Sequence, residues 1–416
     1  MLVADGTNLE RTTRVPELLG EQEQRRGKKM KKSISVTVLV GLLFVSTALA
    51  LEPGDTLWTR TYGGSNTDCA YSVQQTTDGG YILAGTTRSF TAGPYDFYVV
   101  KVDSNGDTLW TRTYGGDYDE EAWSVQQTTD GGYIVAGYTY SFGAGTWDGY
   151  LVKTDAVGDT SWTHTYGGAD SDDALCVQQT TDGGYIVSGY TESFGAGNAD
   201  AWLVKTDADG DTIWTRTFGD TSSEFGNSVR QTTDGGYIMA GRTGPVGAFD
   251  IYVVKTDADG NALWIRTYGG NGSDLDQSAQ QTSDGGYILV GYTDSFGAGG
   301  CDFYLVKTDA VGDITWTRTY GGDSDDYGYD VQQTADGGYI VTGYTMSFGA
   351  GRFDVWLLRT DANGDSLWTR TYGGSRSDFG CAVQQTTDGG YVVAGRTDSF
   401  GAGRLDFWLL SIAGEH

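Results

Sequence analysis

Seven carboxylates could bind a cation in a chain that offers little other reactive chemistry. Asp68, Glu120, Asp172, Glu224, Asp274, Asp326 and Asp378 each stand ten residues beyond a tryptophan. Asp119, Glu121, Asp170, Asp173, Asp276, Asp323 and Asp325 lie beside them. A second recurrent set opens an aromatic–aliphatic run: Asp96, Asp148, Asp200, Asp250, Asp302, Asp354 and Asp406. Two acids per unit on one rim would supply several of the oxygen ligands that Ca2+ takes. The alternative is that each Asp accepts backbone N–H bonds within a turn. Sevenfold recurrence favours that alternative, because a fold needs every unit alike and a unique ligand site does not. No cofactor is required, and Ca2+ is the one candidate.

Other chemistry is thinly supplied. His164 and His416 are the whole histidine complement, which removes most imidazole acid–base and zinc chemistry. Cys69, Cys176, Cys301 and Cys381 form no CxxC and share no repeat position, so a metal cluster is not expected. Asp207, Asp209 and Asp211 alternate like part of a calcium loop. Trp214 and Thr215 follow where such a loop would bring its bidentate acid, so the segment reads as a hairpin turn.

A repeat positions these acids. Its tryptophans are Trp58, Trp110, Trp162, Trp214, Trp264, Trp316 and Trp368, 52 residues apart except for 50 between Trp214 and Trp264. The tetrapeptide DGGY also occurs seven times, ending at Tyr81, Tyr133, Tyr185, Tyr237, Tyr287, Tyr339 and Tyr391. Each unit carries four short runs rich in aromatic and β-branched residues, separated by Gly-containing turns. In the second unit the predicted strands are 123–128, 133–139, 149–154 and 160–166. Four antiparallel strands in about fifty residues is the arithmetic of a propeller blade.

The expected fold is therefore all-β, a seven-bladed β-propeller with blades near 68–114, 120–166, 172–218, 224–268, 274–320, 326–372 and 378–412. The last blade lacks a fourth strand, and the segment 54–62 supplies it. That closure would remove the exposed sheet edges of an open array. TDGG and DADGD turns then fall on one face, and the SFGAG loops with the segments after TYGG on the other. The second face carries the longer, more variable loops, where binding usually resides. Trp, Arg and Tyr two residues apart, as in Trp110, Arg112 and Tyr114, share one side of a strand and are expected to pack on the neighbouring blade.

Symmetry breaks in few places. Blade four replaces SFGAG with Gly244-Pro245-Val246-Gly247-Ala248 and YGG with Phe218-Gly219-Asp220. Arg230 stands where other units have Gln, and His164 where others have Arg. Cys69 and Cys381 fall in adjacent blades of a closed ring, so a disulfide between them is conceivable.

Ahead of the repeats, Lys28, Lys29, Lys31 and Lys32 precede an apolar run over 36–45 and the small-residue site Ala48-Leu49-Ala50. This is the pattern of a secretory signal peptide over 30–50. Residues 1–29 read as an extension outside the native product, with Met30 as the start. The remaining residues 51–416 form the propeller and hold 19 basic and 50 acidic residues, a net of −31. Such a surface repels nucleic acid and anionic lipid. The mature chain has no transmembrane span and is expected to be a monomer, exported to the periplasm, the exterior or the cell surface.

The segment LVKTDADGDTIW (Leu203–Trp214) resembles the tryptophan-docking repeat of quinoprotein-type propellers. The chain looks most like secreted DGGYIVAG…W repeat proteins of environmental bacteria. The resemblance implies fold. Quinone-dependent dehydrogenases of that superfamily have eight blades, an adjacent cysteine pair and a calcium held by specific acids; this chain has seven units and no adjacent cysteines. Non-enzymatic relatives act as envelope scaffolds. Three functions follow: a non-catalytic binding module for a polysaccharide, protein or cation; an envelope docking scaffold; or a glycan hydrolase or lyase. The third needs paired acids in one asymmetric pocket, and the recurrent acids are spread evenly.

Overall fold

The structure is a computed structural model that describes residues 51–415, apart from 92 and 246. It contains 28 strands, β1–β28 in chain order, in seven four-stranded antiparallel sheets. The first blade runs β2 (Asp68–Gln75), β3 (Tyr81–Thr87), β4 (Asp96–Val102) and β5 (Thr108–Tyr114). Neighbouring blades touch through their first strands: β2, β6 (Glu120–Gln127), β10 (Asp172–Gln179), β14 (Ser223–Gln231), β18 (Asp274–Gln281), β22 (Asp326–Gln333) and β26 (Asp378–Gln385). These strands wall a central channel. The ring closes as expected. β1 (Thr56–Tyr62) pairs with β28 (Asp406–Ile412), next to β27 (Tyr391–Thr397) and β26.

The second and third strands of each blade are buried on both sides, so they read as continuous Val, Ile, Leu and aromatic runs. The fourth strand alternates. In β5, Trp110 and Arg112 are half-buried and Tyr114 buried, while Leu109, Thr111 and Thr113 face solvent. Each inward Trp meets the DGGY tyrosine of the next blade edge-on, as in Trp110–Tyr133 at 5.6 Å between ring centroids and Trp264–Tyr287 at 5.7 Å. Arg112 lies over Trp110 at 5.7 Å, and the Tyr114 hydroxyl donates to the Gly158 carbonyl of the next blade at 2.6 Å. A side chain on Gly158 would collide with Trp110 and Arg112, which makes this turn glycine, at φ +82°, the floor on which the neighbour docks.

Two rings of glutamine side chains stitch the channel wall. Gln127 Oε1 accepts from Thr77 N at 2.8 Å, and the same bond recurs at all seven blade boundaries, the last being Thr387 N to Gln75 Oε1 at 2.9 Å. The second ring, as in Gln127 N to Gln74 Oε1 at 2.6 Å, spans six boundaries and stops where Arg230 replaces the glutamine.

Two strand starts differ from expectation. β8 (Asp148–Thr154) begins one residue early. β6 begins at Glu120, not at 123, because Glu120 N donates to the Tyr95 carbonyl at 2.9 Å and draws the acid into the sheet. The signal segment and the extension ahead of it lie outside the described residues. No helix among the described residues is long and apolar enough to cross a membrane. All four cysteines carry free thiols, Cys69 and Cys381 included.

Candidate ligand-binding mouth

The seven acids read from the sequence as a cation- or ligand-binding rim sit inside the loops rather than on them. Asp68, Glu120, Asp172, Glu224, Asp274, Asp326 and Asp378 are at most 1% exposed. Glu120 accepts from Gly116 N at 2.8 Å, Thr139 Oγ1 at 2.7 Å and Ser141 N at 3.1 Å. Asp172 accepts from Gly168 N and Ser193 Oγ, each at 2.7 Å. Glu224 accepts from Asp220 N at 3.1 Å, and the other four repeat the glycine bond. In six blades the carboxylate thus pins the turn after TYGG to the start of the SFGAG loop. In blade four Glu224 joins Asp220 N to Thr243 Oγ1, which donates to it at 2.6 Å. A ligand arriving from solvent meets those loops first.

The second acid set holds the far end of the SFGAG loop: Asp148 Oδ2 accepts from Ala144 N and Gly145 N, each at 2.9 Å. Two carboxylates then flank one glycine at each blade boundary, as Asp148 and Asp172 flank Gly167. Burial, with Asp172 adding to it, raises the Asp148 carboxyl above its ordinary range. Among the described residues no group of three or more His, Cys, Asp or Glu side chains is arranged to hold a metal. DADGD is a hairpin turn: Asp207 Oδ1 accepts from Asp209 N at 3.0 Å and Asp211 N at 2.9 Å.

The repeat loses its regularity at the channel mouth, on the SFGAG face. Every first strand carries a β-bulge that leaves one residue unpaired: Tyr71, Trp123, Leu175, Asn227, Gln277, Tyr329 and Cys381. Bulges of this kind re-aim a side chain, and all seven residues line the channel. A recurrent glycine opposite makes room. A Cβ on Gly137 would overlap the Glu121 carbonyl, and the same holds at Gly85, Gly189, Gly241, Gly291, Gly343 and Gly395.

Two residues before each bulge, a cross-strand pair faces the mouth. Around the ring these pairs are Cys69–Thr86, Glu121–Tyr138, Asp173–Tyr190, Phe225–Arg242, Leu275–Tyr292, Tyr327–Tyr344 and Phe379–Arg396. Contacts run from the second member of one pair to the first of the next. Tyr190 meets Phe225 at 4.9 Å, Tyr292 meets Tyr327 at 4.7 Å and Tyr344 meets Phe379 at 4.8 Å. Arg396 donates to Tyr71 Oη at 3.2 Å and stacks on Phe379 at 4.6 Å, and Tyr71 meets Trp123 at 4.6 Å. The result is a half-buried aromatic girdle.

Charge divides the girdle by sector. Blades two and three hold Glu121 and Asp173; blades four and seven hold Arg242 and Arg396. Burial, reinforced by Glu121, pushes the Asp173 carboxyl up to about 7. Burial also raises Glu121, against a hydrogen bond from Tyr138. Deeper in the channel, Arg230 donates to Cys176 Sγ at 3.0 Å, and Asp330 accepts from Ser278 Oγ at 2.7 Å and Val383 N at 2.9 Å. Of these residues the sequence reading named Glu121, Asp173, Arg230 and the cysteines Cys69, Cys176 and Cys381. The signal for the rest is positional: they vary from blade to blade beside neighbours that do not.

No family model matches the chain. The regulatory protein FlaEY of Caulobacter vibrioides is 23% identical over a match covering 45% of this chain and 23% of FlaEY. The match therefore spans less than a quarter of that relative. Among solved structures, the Pan2 WD40 domain of Neurospora crassa has a TM-score of 0.56 at 10% identity, covering 88% of this chain and 97% of that one. The COPII outer-coat vertex on membranes gives 0.52 at 9%, covering 85% of each chain. BBS1N, in its complex with ARL6DN, gives 0.50 at 9%, covering 86% and 97%. At such identities the likeness is one of fold. The chain is a seven-bladed β-propeller.

Proposed function

We infer that this protein is a non-catalytic binding propeller whose working surface is the girdled channel mouth on the SFGAG face. One observation carries the reading: in seven near-identical blades, variation gathers at the bulge residues and the cross-strand pairs of the mouth. A fold needs those positions alike no less than the others, so their divergence supports selection by something that is not sevenfold. Aromatic and arginine side chains dominate the girdle, the residue types that dominate interface energetics. A protein or a polysaccharide is the ligand class this surface suits. Among the similar structures, BBS1N in complex with ARL6DN is a protein-binding instance. The basic, apolar and small-residue order of residues 28–50 supports export. Binding of displayed peptides and soluble polysaccharides, compared between the wild type and Tyr344→Ala, tests the reading. It expects loss of binding with the unfolding midpoint kept; retained binding would remove the mouth from consideration.

A further inference from the structure

Arg242 is a cation without a counter-ion. Its guanidinium stacks over Phe225 at 4.2 Å and Phe249 at 5.2 Å. Its Nε is buried with no partner, and among the described residues the group makes no hydrogen bond or ion pair. The titratable groups that bear on it are the phenols of Tyr292 and Tyr190, not carboxylates. Arg396, the other girdle arginine, also lacks an ion pair among the described residues but donates to Tyr71 Oη at 3.2 Å. On the opposite face each strand-end lysine has its aspartate within 3.0 Å. Buried polar groups are normally satisfied, and a guanidinium left open among aromatic rings has the fork geometry that takes a carboxylate through two N–H bonds. The loop beside it, 244–248, is two residues shorter than its counterparts, by the 50-residue spacing from Trp214 to Trp264.

We propose that Arg242 seats an Asp or Glu carboxylate from a peptide segment of a protein partner, with the flanking apolar side chains on the girdle. The proposal rests on the mouth being the binding surface. A long polyanion is disfavoured by the net charge of −28. Glu121 and Asp173, in the sector of blades two and three, offer carboxyl acceptors to a basic group. An acid and a base within one short segment is peptide chemistry rather than that of a uniformly charged glycan.

The test pans displayed random dodecapeptides on the purified protein and measures synthetic versions of the enriched sequences by fluorescence anisotropy, with oligogalacturonate as the polyanion arm. The expected result is a fixed Asp or Glu whose amide replacement weakens binding about thirtyfold or more, as loss of one member of a buried charge pair does. Arg242→Gln should weaken binding equally, the two changes together no more than either alone, and Arg242→Lys should restore part of the affinity. Peptides that bind Arg242→Gln as tightly as the wild type but lose Tyr344→Ala overturn the carboxylate seat and leave the mouth standing. Peptides indifferent to both changes overturn the mouth as well. Arg242-dependent binding of oligogalacturonate alone, or no binding by any probe, overturns the peptide occupant.

Discussion

The two faces of the ring use the same acidic residues in opposite ways. On the TDGG face, Asp78 accepts from Thr76 Oγ1 at 2.5 Å and pairs with Lys101 at 2.9 Å, and five of the other six blades repeat the pair with Lys or Arg. Burial opposes ionisation there, but the bonds from Thr76 and Lys101 win and hold the Asp78 carboxyl at about 2. On the mouth face Asp148, Asp173 and Asp302 form no ion pair among the described residues, and burial raises all three. Asp276 is fully buried with neither oxygen partnered, which raises its carboxyl well above the ordinary range. One face is built for stability and repeats its ion pair in six of the seven blades. The other tolerates strain and differs in every sector. Stability given up where a surface is exposed to selection is what a binding site leaves behind.

Substitutions should separate the faces. The largest effect belongs to the inter-blade contact: Trp264→Ala removes the edge-on partner of Tyr287 and should lower unfolding stability by about 3–5 kcal/mol in denaturant titration, leaving mouth binding to fall only with the fold. Next, Asp182→Ala leaves the Lys205 ammonium, whose side chain is 4% exposed, without its partner. A loss of about 1–3 kcal/mol is expected. Asp276→Ala restores the residue type of Ala70, Ala122 and Ala174 and should act in the opposite sense. It removes an unsatisfied buried carboxyl, so it should stabilise by about 1–3 kcal/mol at neutral pH, and a destabilised variant would break the comparison.

The pH dependence has opposite signs on the two faces. A carboxyl raised in the fold contributes stability that is full below its unfolded pKa and is lost as pH rises through the folded value. For Asp173 that window runs from its ordinary value of 3.8 to about 7. Asp173→Asn should flatten the decline in stability across it. Asp130 is held at about 2, where bonds from Lys153 and Thr128 outweigh burial. Its contribution is present above the unfolded value and disappears as pH falls from 3.8 towards 2. Asp130→Asn should flatten only that acid limb. Thermal melts at fixed ionic strength from pH 2 to 8 resolve both. The smallest expected change is in the stability of Arg242→Gln, within about 1 kcal/mol, because the lost stacking on Phe225 and Phe249 is offset by removal of a buried Nε that has no hydrogen-bond partner.

What recurs was legible from the sequence, and what does not recur was hidden by the same repetition. Blade number, ring closure, the two loop faces and the docking of Trp110 on its neighbour all follow from spacing and alternation. The favoured reading of the seven acids, that each accepts backbone N–H bonds within a turn, agrees with Gly116 N and Ser141 N closing over Glu120. A carboxylate count could not reveal that this closure removes them from the ligand-binding rim that was the other reading. The bulges left their trace in the glycine of Gly137 and its counterparts, a residue a pleated strand does not otherwise favour. Arg242 and Tyr344 went unremarked, since a single chain offers no reason to weigh a varying position above a fixed one. The reason is geometric: they share one register beside the bulge, and only strand pairing brings that register together.

The central claim is that the mouth binds and the rest of the ring supports it. Its most direct test is a symmetrised chain, with the other six cross-strand pairs at the mouth changed to the Leu275–Tyr292 pair. Binding of displayed peptides and soluble polysaccharides would be measured beside thermal unfolding. The account predicts a folded ring, with its melting midpoint within about 5 °C of the wild type, that retains none of the wild-type ligands. A symmetrised ring that still binds them would contradict it.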